Sequence, residues 1–191
     1  MITYLLRHAP TEYSTSFRVN GELTIDVPLS ADGETRCAEA RTLLPIGIIT
    51  CVTSNFARCQ RTATLLLGGS TVVSCDARLG ELDYGHFEGK EFLAYARWLI
   101  AHGPWVRPPG AHESQAEALT RMLTSLNAAL DLPGPRLVVA HGLLVSLIQW
   151  ARLHPGDPWT AVLLPGGPLS EPLCSAGQRA AQVDQQTPKG S

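Results

Sequence analysis

Two histidines in the sequence directly follow short apolar runs. Residues 2–6 are followed by Arg7 and His8, and residues 137–140 are followed by His141. Ligands of open α/β sheets bind beyond the carboxyl ends of strands. A single histidine at a strand end more often has a structural role. Two at equivalent ends, one of them preceded by arginine, favour a functional role for both.

A second arginine follows a third apolar run, residues 46–52. Ser54 is a natural N-cap, which places Arg58 in the first turns of the next helix. Cations are disfavoured there unless an anion offsets them, because helix N-termini carry free amides and partial positive charge. The alternative is a solvated surface arginine, which is how we interpret Arg61.

An irregular segment, residues 79–89, carries the candidate acids. It holds Glu81, Asp83 and Glu88 among three glycines, without a helical or strand period. Glycines permit the tight turns with which a loop presents an acid to a site. Spacing alone does not decide which of the three acids faces inward.

The elements that position these residues alternate between strands and helices. The three apolar runs, and a shorter one at residues 71–74, are typical of buried parallel strands. This alternation predicts an α/β layered domain with a largely parallel sheet. Residues 160–164 are our candidate for a final strand. The helical spacings fall at residues 32–44, 56–67, 91–101, 114–130 and 143–153, and Ser114 and Glu117 form a capping-box pattern at the start of the fourth.

Length and composition favour one domain. The 191 residues are 45% hydrophobic and 17% charged, which is ordinary for a globular protein. We predict a domain over residues 1–165 and a poorly ordered tail over residues 166–191, which are rich in Gly, Pro, Ser, Gln and Ala.

Charge and cysteine content exclude several classes of partner. The net charge of −2 argues against nucleic acid, and no apolar run is long enough for a membrane span. Five cysteines without a C-x-x-C pair, and no secretory signal, predict free thiols, no metal site and a cytoplasmic location.

The motifs together resemble the histidine phosphatase superfamily, which includes the cofactor-dependent phosphoglycerate mutases. This resemblance implies a three-layer α/β/α fold with a largely parallel central sheet. Five segments match in the family's order: residues 7–12 (R-H-G-x-T), 26–33 (D-x-P-L-[ST]-x-x-G), 54–63 (S-x-x-x-R-[AC]-x-x-T-A), 79–89 (L-x-E-x-x-x-G-x-[WF]-E-G) and 139–142 ([VS]-x-H-G).

The family's roles transfer to the matching positions. His8 resembles the nucleophile that becomes a phosphohistidine, and Glu81 resembles the proton donor. Arg7, Arg58 and His141 resemble the pocket that holds the phosphoryl oxygens. The resemblance therefore selects Glu81 among the three acids and leaves Asp83 and Glu88 structural roles.

Three departures from the family pattern bear on the site. Ala9 replaces the glycine after the catalytic histidine and adds a methyl near the pocket. Ser14 replaces an asparagine, so we expect a phosphate hydrogen bond from Ser14 or from Asn20 instead. His112 lies in a turn with two inserted residues, where we expect a solvated histidine rather than one that reaches the site.

The resemblance implies an enzyme without metal or cofactor that hydrolyses a small phosphorylated metabolite. The small phosphatases of the family, such as those acting on α-ribazole phosphate or sugar phosphates, look closest. Two alternatives stay open: a phosphomutase, and a catalytically weak module that binds a phosphorylated ligand. Sequence alone identifies neither the substrate nor the oligomeric state.

Overall fold

The computed structural model describes residues 2–44, 47–69, 71–155 and 181–182. Strands and α-helices alternate along most of this chain. Two short 3₁₀ turns, Ala77–Leu79 and Gly85–Phe87, lie in the segment that carries the candidate acids and just before it. The elements are β1 (Thr3–Arg7), α1 (Glu12–Thr15), α2 (Ala31–Arg41), β2 (Thr50–Thr53), α3 (Ala57–Leu67), β3 (Val73–Cys75), α4 (Phe92–His102), α5 (Gln115–Leu130), β4 (Arg136–Ala140), α6 (Gly142–Leu153) and β5 (Ala181–Gln182).

The sheet has the strand order β3-β2-β4-β1-β5. The first four of these strands are mutually parallel, and β5 pairs antiparallel with the outer edge of β1. The chain moves outward from β1 to β2 and β3, then returns to insert β4 between β2 and β1. Strand order therefore changes direction at β1 and β4, where this architecture places ligand sites.

Two apolar cores cover the two faces of the sheet. On one face α4, α5 and α6 pack on Leu5, Val52 and Val138. On the other face α2 and α3 pack on Leu6 and Cys51, together with further strand residues. Neighbouring strand residues belong to opposite cores because successive side chains of a strand point to opposite faces. The three-layer α/β/α fold is confirmed.

The predicted elements agree with the structure within a few residues, apart from those that lie outside the described residues. The second predicted strand begins at residue 50, and residues 45–46 are among those not described. The candidate strand at residues 160–164 also lies outside the described residues. The edge strand Ala181–Gln182 lies within the predicted tail, so the domain boundary at residue 165 stays a prediction.

The ends of two helices test the capping predictions. Ser114 and Glu117 form the expected capping box at α5, each side chain bonding to the other's backbone N–H. Ser54 is not the N-cap of α3, because Phe56 occupies that position without a side-chain cap. The hydroxyl of Ser54 instead bonds to His141. In the part of the chain that the structure describes, no helix is long and apolar enough to cross a bilayer.

Candidate active site

His8 and His141 come from neighbouring strands. β1 and β4 are paired with Arg7 opposite Ala140, so the residues after both strands emerge together. The His8 N–H donates to the carbonyl of Ala140 at 3.0 Å, which extends the ladder by one bond. The two imidazole centroids are 5.4 Å apart. The structure thus brings together the two histidines that the sequence singled out.

Two hydrogen bonds fix the tautomer of His8. Nδ1 lies 2.8 Å from the carbonyl oxygen of Ala9, and Nε2 lies 3.3 Å from Nε of Arg58. A carbonyl only accepts and a guanidinium only donates, so the proton of a neutral ring is on Nδ1 and the lone pair is on Nε2. The lone pair of His8 therefore points toward the arginine.

Arg58 is held in the pocket by Asn20. Its Nη1 donates to the Asn20 side-chain oxygen at 2.6 Å, and its Nη2 donates to the Asn20 carbonyl at 2.8 Å. Asn20 in turn donates from Nδ2 to Glu88 at 3.0 Å. Arg58 is only 4% exposed, so it is not the solvated surface arginine of the alternative interpretation. Asn20 and Glu88 fix the guanidinium rather than leave it mobile.

His141 is fully buried behind this pair. Its Nε2 lies 2.9 Å from the Ser54 hydroxyl, and its Nδ1 lies 3.4 Å from Nη2 of Arg58. Because the guanidinium can only donate, Nδ1 accepts and Nε2 carries the proton of the neutral ring. The same Nδ1 lies 3.8 Å from a carboxylate oxygen of Glu81. His141 therefore lies between the arginine and the acid.

Glu81 is the acid that faces the site. One of its oxygens accepts the N–H of Leu82 at 3.0 Å, and the other points toward His141. Asp83 points away, since its oxygens accept the N–H groups of Gly85 and His112. Glu88 accepts the N–H groups of Gly21 and Glu22. Asp83 and Glu88 have the structural contacts that the sequence analysis gave them.

The loop that carries Glu81 is clamped by two residues that the sequence analysis missed. Arg121 of α5 donates to the carbonyls of Gly80 and Glu81 at 2.7 and 2.8 Å, and it forms an ion pair with Glu113. Glu113 also accepts the N–H of Asp83 at 3.2 Å. The clamp thus holds the backbone on both sides of Glu81. Nothing in local spacing signals it, because its partners lie about forty residues apart.

Burial shifts the pKa values of His8 and Glu81 in opposite directions. Burial, followed by the charges of Arg58 and Arg7, holds the pKa of His8 well below its usual range. Burial raises the pKa of Glu81 above its usual value, although the Leu82 N–H and the nearby arginines oppose the shift. Burial and Arg58 likewise hold the pKa of His141 well below its usual range. Burial therefore disfavours the charged forms of both imidazoles and of the Glu81 carboxyl group.

His8, Arg58 and Glu81 line a pocket that opens to solvent and has a cavity volume of about 30 Å³, whereas His141 is not among its lining residues. Within the described residues, no cluster of three or more His, Cys, Asp or Glu side chains is arranged to hold a metal ion. The pocket is lined by Arg7, His8, Thr11, Tyr13, Ser14, Arg18, Val19, Asn20, Arg58, Glu81, Tyr84 and Phe92.

The structure shows where the residues that depart from the family pattern lie relative to the pocket. Ser14 lines the pocket, but its hydroxyl is occupied by Thr11 in a capping box. The methyl of Ala9 packs in the core with α2 and α3 and is not among the groups that line the pocket. His112 is exposed and does not line the pocket, as expected. Arg61 is exposed and pairs with Glu34.

Comparison with known proteins identifies the class to which this fold and site correspond. The family model described as histidine phosphatase superfamily, branch 1, matches residues 3–182. The chain belongs to this family.

Particular relatives are similar to this chain over most of its length. The protein named "Probable phosphoglycerate mutase GpmB" from Cronobacter sakazakii is 36% identical over 156 residues, which are 76% of this chain and 71% of the relative. The crystal structure of TTHB049 from Thermus thermophilus has a TM-score of 0.64 at 26% identity, covering 79% of this chain and 84% of that one. The structure of the α-ribazole phosphatase from Shigella flexneri has a TM-score of 0.65 at 23% identity, covering 83% and 82%, and shows a shared fold.

Proposed function

We propose that this protein is a phosphomonoesterase that hydrolyses a small phosphorylated metabolite through a phosphohistidine on His8. Glu81 gives a proton to the leaving group and then takes one from water. The observation that carries the proposal is the Nε2 lone pair of a neutral His8, directed at Arg58 in a pocket that also contains Arg7 and Glu81.

The charges of the pocket support a phosphate monoester as substrate. Such an ester carries about two negative charges near neutral pH. Arg7 and Arg58 supply two positive charges, and a protonated Glu81 does not repel the ester. Attack on phosphorus is controlled mainly by charge neutralisation and positioning, which the guanidinium groups of Arg7 and Arg58 provide.

The first step transfers the phosphoryl group to the enzyme. The His8 Nε2 lone pair forms the bond to phosphorus while the ester P–O bond breaks, and the Glu81 proton goes to the leaving oxygen. Before this attack the Arg58 Nε–H leaves Nε2 and binds a phosphoryl oxygen, which frees the lone pair. The leaving group departs as an alcohol, and Glu81 is left ionised.

The second step returns the enzyme to its starting state. Water attacks phosphorus, the Glu81 carboxylate takes a proton from it, and the N–P bond breaks to restore neutral His8. His141 has a supporting role in binding. Its Nδ1 accepts from Nη2 of Arg58, so it supports binding by orienting the guanidinium that holds the phosphoryl oxygens. The resemblance implies a phosphate contact at the position of Ser14. The Ser14 hydroxyl is bonded to Thr11, and we propose no further contact for it.

A direct test is release of inorganic phosphate from p-nitrophenyl phosphate with and without a chelator. We expect turnover that the chelator does not reduce, because the arginines and histidines neutralise the charge. Loss of turnover in chelator would contradict the metal-independent mechanism. Turnover absent with this substrate and with a panel of phosphorylated metabolites would favour the alternative of a catalytically weak module that binds a phosphorylated ligand.

The second candidate function is a phosphomutase, which the name of the curated relatives favours. A mutase must shield the phosphohistidine from water while the bound intermediate reorients. The 59 residues between Glu81 and His141 are taken up mainly by α4, α5 and β4, and the pocket opens to solvent. Both observations support hydrolysis.

An assay with 3-phosphoglycerate and a bisphosphoglycerate primer separates the two functions. A phosphatase releases phosphate or leaves this substrate unchanged. Efficient conversion to 2-phosphoglycerate without release of phosphate would overturn hydrolysis in favour of the mutase. The cytoplasmic location that the cysteines predict stays a prediction.

A further inference from the structure

We propose that Arg18 forms a second anion-binding subsite in the pocket, which selects substrates whose leaving group carries a carboxylate or a second phosphate. This inference rests on the proposed function in one respect: it takes the phosphoryl group to lie at His8, Arg7 and Arg58. Arg18 lines the same pocket, but unlike those residues it is exposed.

A strained turn places Arg18 at the pocket. Phe17 has a φ of 57°, a left-handed conformation that bulky side chains rarely adopt. The turn is held by the Phe17 carbonyl, which accepts the Phe92 N–H at 2.7 Å, and by the Arg18 N–H, which donates to Tyr13 at 2.8 Å. The chain then continues with Arg18 and Val19, both of which line the pocket. Such strain is more often kept at binding sites than elsewhere.

The guanidinium of Arg18 is oriented and still has donors to offer. Its Nη1 donates to the carbonyl of Gly89 at 3.2 Å. Among the described residues, no carboxylate forms an ion pair with Arg18. Glu88, next to Gly89, has its oxygens occupied by Asn20, Gly21 and Glu22. A fork of N–H groups therefore remains for an external acceptor.

The charge balance of the pocket indicates the chemical class of that acceptor. Arg7 and Arg58 match the two charges of a phosphate monoester, and the proposed mechanism takes Glu81 as protonated when the ester binds. Arg18 adds a third positive charge to the pocket lining, and no carboxylate of the described residues forms an ion pair with it. An arginine fork suits a carboxylate or phosphate, which it can bind through two parallel hydrogen bonds. A leaving group with one such anion would complete the balance.

The closing experiment compares two substrates that differ at a single group. 3-Phosphoglycerate carries a carboxylate where glycerol 3-phosphate carries a hydroxymethyl group. Fructose 1,6-bisphosphate and fructose 6-phosphate form a second pair, which tests a phosphate in place of the carboxylate. We expect the wild-type kcat/KM to favour the anionic member of at least one pair by about ten-fold or more, the contribution of one charge-assisted hydrogen bond. The pair that shows the preference identifies which anion is bound.

Arg18→Gln should remove that preference by lowering kcat/KM selectively for the anionic member. Arg18→Lys should keep part of it, because it retains the charge but loses the fork. Arg61→Gln, an exposed arginine outside the pocket, is the matched control and should keep the preference. Equal losses for both members of a pair in Arg18→Gln, or no wild-type preference in either pair, would overturn the subsite.

Calorimetric titration of the His8→Ala variant with the same pairs separates this inference from the proposed function. The dissociation constants should show the same Arg18-dependent preference even if no substrate is hydrolysed. That result would support the subsite while the phosphatase fails. Equal affinities for both members of each pair would overturn the subsite while the phosphatase stands.

Discussion

At the scale of single residues, the proposed reaction needs two neutral groups. The imidazole of His8 must have lost its second proton, and the carboxyl group of Glu81 must still hold its proton. Burial lowers the pKa of His8 and raises the pKa of Glu81, since it disfavours the charged form of each. An imidazole must be neutral to attack, and a carboxyl group must be protonated to act as acid. The same burial thus prepares both groups for one reaction.

Replacement of Glu81 tests its role as acid. Glu81→Gln should lower kcat by roughly 10²–10⁴-fold for alkyl phosphates, which need a proton on the leaving oxygen. The loss should be far smaller for p-nitrophenyl phosphate, whose leaving group needs little protonation. Glu39→Gln, at an exposed position of α2, is the control. Equal losses for both substrates would mean that Glu81 only positions another group.

The pH profile of the same variant provides a second check. With an alkyl phosphate, the kcat/KM of the wild type should fall as the pH rises through the raised pKa of Glu81, because ionised Glu81 is no longer an acid. In Glu81→Gln this alkaline decline should disappear, since the amide does not ionise. An unchanged decline would assign it to another group.

At the scale of elements, the position of the acid depends on α5. Arg121 and Glu113 bind the backbone around Glu81, so a change in α5 reaches the site without touching substrate. Arg121→Gln should lower kcat for alkyl phosphates more than for p-nitrophenyl phosphate, with little change in KM. It should also lower the free energy of unfolding by about 1–3 kcal/mol, because Glu113 loses its partner.

Arg97→Gln is the matched control for this prediction, since Arg97 is an exposed arginine of α4. Kinetics with the two substrates and chemical denaturation measure the two effects. A loss of stability with the same kcat loss for both substrates would show that Arg121 and Glu113 stabilise the fold but do not position Glu81 as the acid.

The sequence predicted the elements well where local signals are strong. The apolar runs of β1 and β4 and the capping box of α5 depend on neighbouring residues, so their positions could be read directly. The strand Ala181–Gln182 has neither a branched residue nor an apolar run, and only its pairing with β1 defines it. For the same reason the contact of Asn20 with Arg58 was not predicted, because the two residues meet only in the folded chain.

At the scale of the whole molecule, burial of the site makes stability depend on pH. The pKa values of His8 and His141 are lowered by folding, so the unfolded chain binds protons first as the pH falls below about 6.5. Each histidine then costs up to about 1.4 kcal/mol of unfolding free energy per pH unit. Glu81, with its raised pKa, acts in the opposite direction and offsets at most one histidine.

We therefore expect the free energy of unfolding to fall between pH 6.5 and 5, by up to about 2.8 kcal/mol per pH unit for the two histidines and by about half of that where Glu81 offsets one of them. His8→Asn should reduce this slope, whereas His102→Asn, at an exposed position, should not. Urea denaturation at several pH values measures both. A stability that rises as the pH falls over this range would contradict neutral, buried histidines.

The phosphoenzyme itself tests the central claim most directly. Wild-type protein mixed with a phosphorylated substrate, quenched within a turnover and analysed by intact mass and peptide mapping should carry one acid-labile phosphoryl group on His8. His8→Ala should carry none, and the exposed-site control His102→Ala should be labelled like the wild type. A phosphoryl group retained in His8→Ala, or an acid-stable group on another residue of the wild type, would contradict the account.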